Sequence, residues 1–508
     1  MSLFSLRTLL LSTLLFSLSY CYSAVYTSVQ SGNWNAAATW GGAGFPGPND
    51  DAIISAGHTV TYNIPGAGDK VQNLDILGTL EMRSSTLRVE QNLTISGDVI
   101  RDFSVAVGEI KMIGTGVVQL NNNSFTHTEM EFVFSNPGNV ISGTGALPIL
   151  KISEETHIAD NADILVQGQV RGIDLLLLGV GSVVTYISNE NVVPALSIEL
   201  GENSYFYYNS NGDFNGSLDA SAFNSTFNIG DASVTGDVMV KFAEYYHLII
   251  SKNELNGIAF MEAGGGGAAN NGGTIIHGNL TVEDSSYFQM ADQLGNSKTL
   301  TVHGTTFNYG EMVVPPGSGG ALQEKIFGDL IVDSTANFEI YNGENVFIHG
   351  NLINDGYFVS DTGTYTFTSP TGTVSGDSIL TIYHVDVTGC YENYHLDFNV
   401  ETFESDAGAC FYQMPGSMLS FIAFPDLDGW FGDLFADNAE NAVRHLGNGI
   451  VTPIPSMNGY NDFVVNKPSG YLNLGADLVI NDTINFINGN INLGAHSIWA
   501  GINAHAVG

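Results

Sequence analysis

Ile276-His277-Gly278-Asn279-Leu280 returns, residue for residue, as Ile348-His349-Gly350-Asn351-Leu352. The same frame is an Ile or Val, any residue, a Gly, an Asn or Asp, then Leu, Val or Ile. It is met again as ISGDV (95–99), VTGDV (234–238), IFGDL (326–330) and INGNI (487–491). Relaxing the last position adds VHGTT from Val302 and VSGDS from Val374. In mid-chain the leading residues Ile276, Val302, Ile326, Ile348 and Val374 lie 26, 24, 22 and 26 residues apart. A period in the range of roughly 20–45 residues is the mark of a stacked repeat, in which each unit buries its apolar side only against its neighbours.

The chemistry of the frame suits a coil of short strands and tight turns. Glycine permits the positive φ of a sharp turn. The Asn or Asp after it tolerates the same region and bonds its own backbone. The flanking Ile, Val and Leu, Ile348 among them, then point inward and stack on their equivalents in the next coil. The expected fold is all-β, a parallel β-helix (solenoid). A series of β-sandwich or jelly-roll domains is the alternative, because periodicity alone does not separate stacked coils from many short antiparallel strands. A longer recurring unit reads VISGTGALPILKIS (140–153), VSGDSILTIYHVDVTG (374–389) and, more loosely, VTGDVMVKFAEYYHLIIS (234–251). Residues 438–446 are the one stretch that reads as a short helix.

Composition points the same way. Gly accounts for 60 of 508 residues while Lys and Arg together number 14. Between the glycines stand Asn, Thr, Ser, Val and Ile, the residues of turns and strands. The formal charge of −38 repels phosphates and anionic membranes, which excludes nucleic acid as a partner. It suits solubility in a saline medium, or the binding of structural calcium.

The chain opens with Arg7 and the apolar run TLLLSTLLFSL (8–18), followed by small residues Ser23 and Ala24. That is the pattern of a secretory signal, residues 1–24, and places the protein outside the cell, secreted or at the cell surface. The run is too short for a transmembrane helix of about 20 residues, and no later stretch is longer and as apolar. Export leaves Cys390 and Cys410 in an oxidising space, where a disulfide between them is expected. Residues 25–70 are expected to form an N-terminal Trp- and Gly-rich cap, 71–389 β-helix coils, 390–459 an irregular insertion with an acidic patch, and 460–508 terminal coils.

The opening zone carries a pattern of its own: Ser31-Gly32-Asn33-Trp34, Ala38-Thr39-Trp40-Gly41-Gly42, Pro46-Gly47-Pro48-Asn49-Asp50, Ile53-Ile54 and Gly57-His58-Thr59-Val60. It resembles the opening of the eight-glycine extracellular domain found in β-helical surface proteins, some of which act on or bind carbohydrate. It is also similar to the start of many large secreted proteins of the Bacteroidetes type. The resemblance implies a surface protein with a β-helical body. Bacterial relatives exported by the type IX route end in a compact sorting domain, and residues 504–508 (AHAVG) do not resemble one. The expectation is that the chain continues beyond Gly508 or that its anchoring signal lies elsewhere.

Trp34 and Trp40 have two readings. As large amphipathic rings they close the open end of a solenoid, which otherwise exposes apolar side chains and strand edges; as exposed rings they stack on sugars and bind carbohydrate. Asp426, Asp428 and Asp433, with Asp437 and Glu440, form the densest acidic patch, and their oxygens suit Ca²⁺, though glycine falls at the fourth position rather than the sixth of an EF-hand loop. His277, His303 and His349 each precede a turn glycine, and are read as solvated turn residues rather than a metal row. No GxSxG, HExxH or phosphate-loop motif is present. The function expected is non-catalytic adhesion or contact with an extracellular polysaccharide or cell-surface component. A polysaccharide lyase or hydrolase on the coil face, and a structural spacer of a longer surface protein, are the alternatives.

Overall fold

The computed structural model describes residues 23–508 except 43, 65–69, 84, 102–107, 126–129, 189–195, 211–213, 215, 231–235, 253–256, 263–272, 317–322 and 423–431. The expected signal lies almost wholly outside the described residues. The chain divides into two compact units. The first takes in residues up to Ser188 with Val192–Glu199 and Asn215–Ser217; the second takes in the rest.

One coil of the first unit shows why the chain winds as it does. The strands Asn73–Ile76, Thr79–Met82 and Thr86–Val89 each alternate half-buried and buried side chains. Period-two alternation turns Leu74, Ile76, Leu80, Met82, Leu87 and Val89 inward, and all six are fully buried. Their backbones pair in parallel with neighbouring coils: Leu74 stands between Ala52 and Leu93, Ile76 between Ile54 and Ile95, and Leu80 between Val60 and Val99. Each coil therefore roofs the apolar side chains of the one before it.

The second unit repeats the scheme. Ile276, Val302, Phe327, Ile348 and Phe367 form one inward column. Leu280, Thr306, Leu330, Leu352 and Val374 form another. All ten are fully buried. The fold is a parallel β-solenoid, nearly all strand. A β-sandwich requires antiparallel sheets, and the strands of both units pair in parallel.

The structure corrects the expected register in two places. In IFGDL the inward residue is Phe327, and Ile326 faces out half-buried. Val374 stacks on Leu352, one column on from Ile348, whose true successor is Phe367. The glycines are used in two ways, and Gly236, Gly376 and Gly489 take the expected positive φ, of 94°, 127° and 96°. Gly278, Gly304, Gly328 and Gly350 are not among the positive-φ residues. A Cβ at Gly304 would lie 2.3 Å from the carbonyl oxygen of Gly278, and one at Gly328 equally close to that of Gly304. Glycine is needed there so that successive corners can approach, a steric demand that φ does not express.

The cap is narrower than residues 25–70. Val25–Thr27, Asp51–Ile54 and Thr59–Tyr62 already belong to regular coils. Gly32–Asn33 pairs in parallel with Thr59–Tyr62 as well, and the 3₁₀ turn Ala37–Trp40 is the element that departs from the ladder. The described residues of 390–459 do not form an irregular insertion. Cys390–Asn393, Phe398–Ser405, Cys410–Gln413, Met418–Phe421, Asp433–Ala436 and Ala442–His445 continue the parallel ladders. The Ile/Val/Leu rhythm fades there because the inward positions are taken by Tyr391, Asn393, Phe398, Phe403, Phe411, Gln413 and His445. Nor is 438–446 a helix: Glu440 adopts a left-handed φ of 64° and Ala442–His445 is a strand. Among the described residues no helix is long and apolar enough to cross a membrane.

Candidate functional site

The strands Leu380–Val387 and Phe398–Ser405 run unbroken around a corner of the second unit. Both keep period-two burial until two neighbouring residues are left half-buried together, Tyr383-His384 in one and Glu401-Thr402 in the other. That slip of the alternation is the corner, and it turns two successive side chains outward instead of one. Register then places His384 beside Thr402 and Asp386 beside Glu404 on adjacent coils. The preceding coil adds Thr364 and Thr366 to the same two rows.

A second row runs just before that corner. Tyr341 and Asp361 follow the paired residues Ile340 and Ser360, and Tyr383 and Glu401 follow the paired Ile382 and Val400. The Tyr383 N–H donates to Ser360 Oγ at 2.8 Å, which joins the two pairs. Tyrosine and carboxylate therefore alternate up the corner, one residue per coil. Tyr341 donates its hydroxyl to Glu339 Oε2 at 3.2 Å, and Asp361 Oδ2 accepts the Asn342 N–H at 2.9 Å. Tyr357 stands exposed beside Tyr341. The rings of Tyr383 and His384 meet edge-on at 4.6 Å, and His384 Nδ1 is hydrogen-bonded to Thr402 Oγ1.

The electrostatics are those of uncompensated negative charge. The Glu401 carboxylate, with some burial, its hydrogen bond and Asp361, holds the Tyr383 phenol above its usual range. Burial first, then Glu339 and the neighbouring Tyr357 and Asp361, does the same to Tyr341. Asp386 is held above the ordinary carboxylate range by burial, then by Asp406 and Glu404. Among the described residues no Lys or Arg forms an ion pair with Asp361, Asp386, Glu401 or Glu404. The site offers ring faces, hydroxyls and a surplus of hydrogen-bond acceptors.

The residues singled out from the sequence are placed elsewhere. Trp34 is fully buried and Trp40 nearly so. Trp34 packs edge-on against Trp40 at 5.2 Å and Tyr62 at 5.4 Å, and Trp40 Nε1 donates to the Trp34 carbonyl at 2.6 Å. Neither ring keeps a face for a sugar, and both are packed inside the first unit. Asp426 and Asp428 lie outside the described residues. Asp433 is exposed at the start of its strand, beside Cys410. Among the described residues no three acidic, histidine or cysteine side chains converge on a metal-binding point. Cys390 and Cys410 are paired in register on adjacent coils, Cα atoms 4.4 Å apart, and joined by a disulfide. His277 and His303 are exposed but stacked, while His349 stands apart and bonds Thr368 Oγ1 at 2.5 Å.

Sequence reasoning did not find the tyrosine–carboxylate corner. Its members are scattered over four coils, and only the TIYHVDV stretch inside the longer recurring unit carried a signal: two polar residues together, Tyr383-His384, where strict alternation allows one. No family model matches the chain, and no curated protein or solved structure matches it.

Proposed function

We propose that this chain is a secreted or cell-surface β-solenoid that contacts glycan through the corner around Tyr383 without cleaving it. The observation that carries the reading is the alternation Tyr341, Asp361, Tyr383, Glu401 up successive coils. A tyrosine ring packs against the C–H face of a pyranose, and its hydroxyl and the adjacent carboxylates take hydrogen bonds from sugar hydroxyls. The unpaired acids and the net charge of −38 favour a neutral polysaccharide over a uronate or sulfated one. The apolar leader and the resemblance of residues 31–60 to an extracellular domain support the compartment.

One observation favours a second reading. Asp386, whose carboxyl is held above the ordinary carboxylate range by burial and then by Asp406 and Glu404, stands in register beside Glu404, and a pair of neighbouring carboxyl groups is what glycoside hydrolysis requires. Incubating the chain with neutral and anionic polysaccharides, with and without calcium, separates the two by reading retention and released fragments together. Retention on neutral polymers without fragments, lowered in Tyr383→Ala and Tyr341→Ala, is the expected result. Fragments that vanish in Asp386→Asn would make the protein a hydrolase. Neither retention nor fragments would sink both and leave a spacer.

A further inference from the structure

We infer that His277 and His303 form a cross-coil site for a borderline divalent transition ion, such as Cu²⁺ or Zn²⁺. The two residues follow Ile276 and Val302, which pair in register on adjacent coils. Strand spacing in a sheet of about 4.7–4.9 Å brings such equivalent side chains together, and the two imidazoles lie nearly parallel with centroids 5.8 Å apart. Both are exposed on the corner between two faces of the second unit.

A third residue orients the pair. Glu244, paired with Ile275 on the coil before, accepts from His277 Nε2 at 2.9 Å. A carboxylate only accepts, so the proton of this imidazole sits on Nε2 and the Nδ1 lone pair is left for a metal. A histidine that gives one ring N–H to a carboxylate while ligating through the other nitrogen is the usual support of a metal-bound imidazole. His303 supplies the second nitrogen after a side-chain rotation toward a shared ion, at the ~2.0–2.1 Å typical of zinc–imidazole bonds. Imidazole donors select copper, zinc or nickel over calcium and magnesium. Among the described residues no third protein donor converges on the point, and water completes the shell.

The row holds two histidines because the next coil breaks it. IFGDL is one residue shorter across this corner, with a register shift between Val302 and Thr305, and it carries no histidine. His349, a coil further on, is the built-in control.

The test titrates Cu²⁺ into the full chain in buffer holding millimolar Ca²⁺ to occupy the surface carboxylates, read by calorimetry and by the nitrogen splitting in the copper EPR spectrum. The expected result is one tight equivalent with two coupled nitrogens. His277→Ala and His303→Ala should each weaken it by at least about tenfold, with unchanged circular dichroism, while His349→Ala leaves it intact. Tight binding that survives both alanine variants, equal loss in His349→Ala, or no binding above the calcium background would overturn the site.

Discussion

Asn279 accepts, through its side-chain Oδ1, the backbone N–H of Thr305 on the next coil at 3.0 Å. The bond recurs from Asn351 N–H to Asp329 Oδ1 at 2.7 Å and from Thr373 N–H to Asn351 Oδ1 at 2.9 Å. At these corners the strand ladder lapses, and a backbone donor there needs another acceptor. The Asn or Asp of the repeated frame supplies it one coil away rather than turning back on its own backbone. Asn351→Leu should therefore lower stability by about 1–3 kcal/mol, the cost of a donor left unsatisfied. Denaturant titration of the variant measures it, and an unshifted midpoint would show that the ladder is ornamental.

The same corners set the price of a side chain on glycine. Gly304→Ala places a Cβ 2.3 Å from the Gly278 carbonyl oxygen, with no positive φ to relieve. Prying the coils apart should cost about 1–3 kcal/mol, visible as a lower melting temperature. A variant as stable as the parent would mean that neighbouring coils slide freely.

Ile348 is fully buried between Phe327 and Phe367. An aspartate there has no partner, and Ile348→Asp should destabilise the fold by several kcal/mol, on the order of the ~2–7 kcal/mol for an unpaired buried polar group or more for its charged form. Unchanged melting would refute the inward placement.

His445 is buried between Phe421 and Phe463, ring centroids 5.1 Å from each, and both ring nitrogens lack a partner. Burial, helped by Lys467, lowers its pKa from 6.5 to about 3. The unfolded chain therefore binds a proton that the fold refuses between those values. Its contribution is complete above pH 6.5 and is lost as pH falls toward 3, by about 1.4 kcal/mol per unit of pH. His445→Phe should flatten this part of the acid side of the stability curve, and identical curves for the two proteins would remove His445 as a cause.

The Cys390–Cys410 disulfide closes a loop of sequence separation 20. By chain entropy its removal should cost about 3 kcal/mol. Melting Cys390→Ser/Cys410→Ser beside the parent gives the number, and no difference would mean that the ladder alone holds this pair of coils.

The sequence by itself determined that the chain is an all-β repeat. A glycine-centred frame recurring every twenty-odd residues points to stacked coils, but the choice against β-sandwiches came from the parallel pairing of the strands. Register was left open as well. Whether Ile326 or Phe327 points inward depends on a single residue gained or lost at a corner, and a one-residue slip flips the side chain to the opposite face. For the same reason Val374 belongs one column on from where its frame suggests. The break in rhythm after Cys390 hid real coils, because aromatic and polar side chains fill the same inward positions once their neighbours pack around them.

The candidate site was decided only by the tertiary structure. Tyr341, Asp361, Tyr383 and Glu401 are separated by 20, 22 and 18 residues, and no local pattern ties them. Parallel stacking converts a spacing of one coil into adjacency in space, so the meaning of each residue depends on how many residues every intervening turn consumes. Burial did the opposite for Trp34 and Trp40: their residue type allowed a ligand-facing or a capping role, and packing against each other and Tyr62 took both rings out of reach of a ligand. Period is a property of the chain, whereas neighbourhood on a solenoid is a property of accumulated turn lengths.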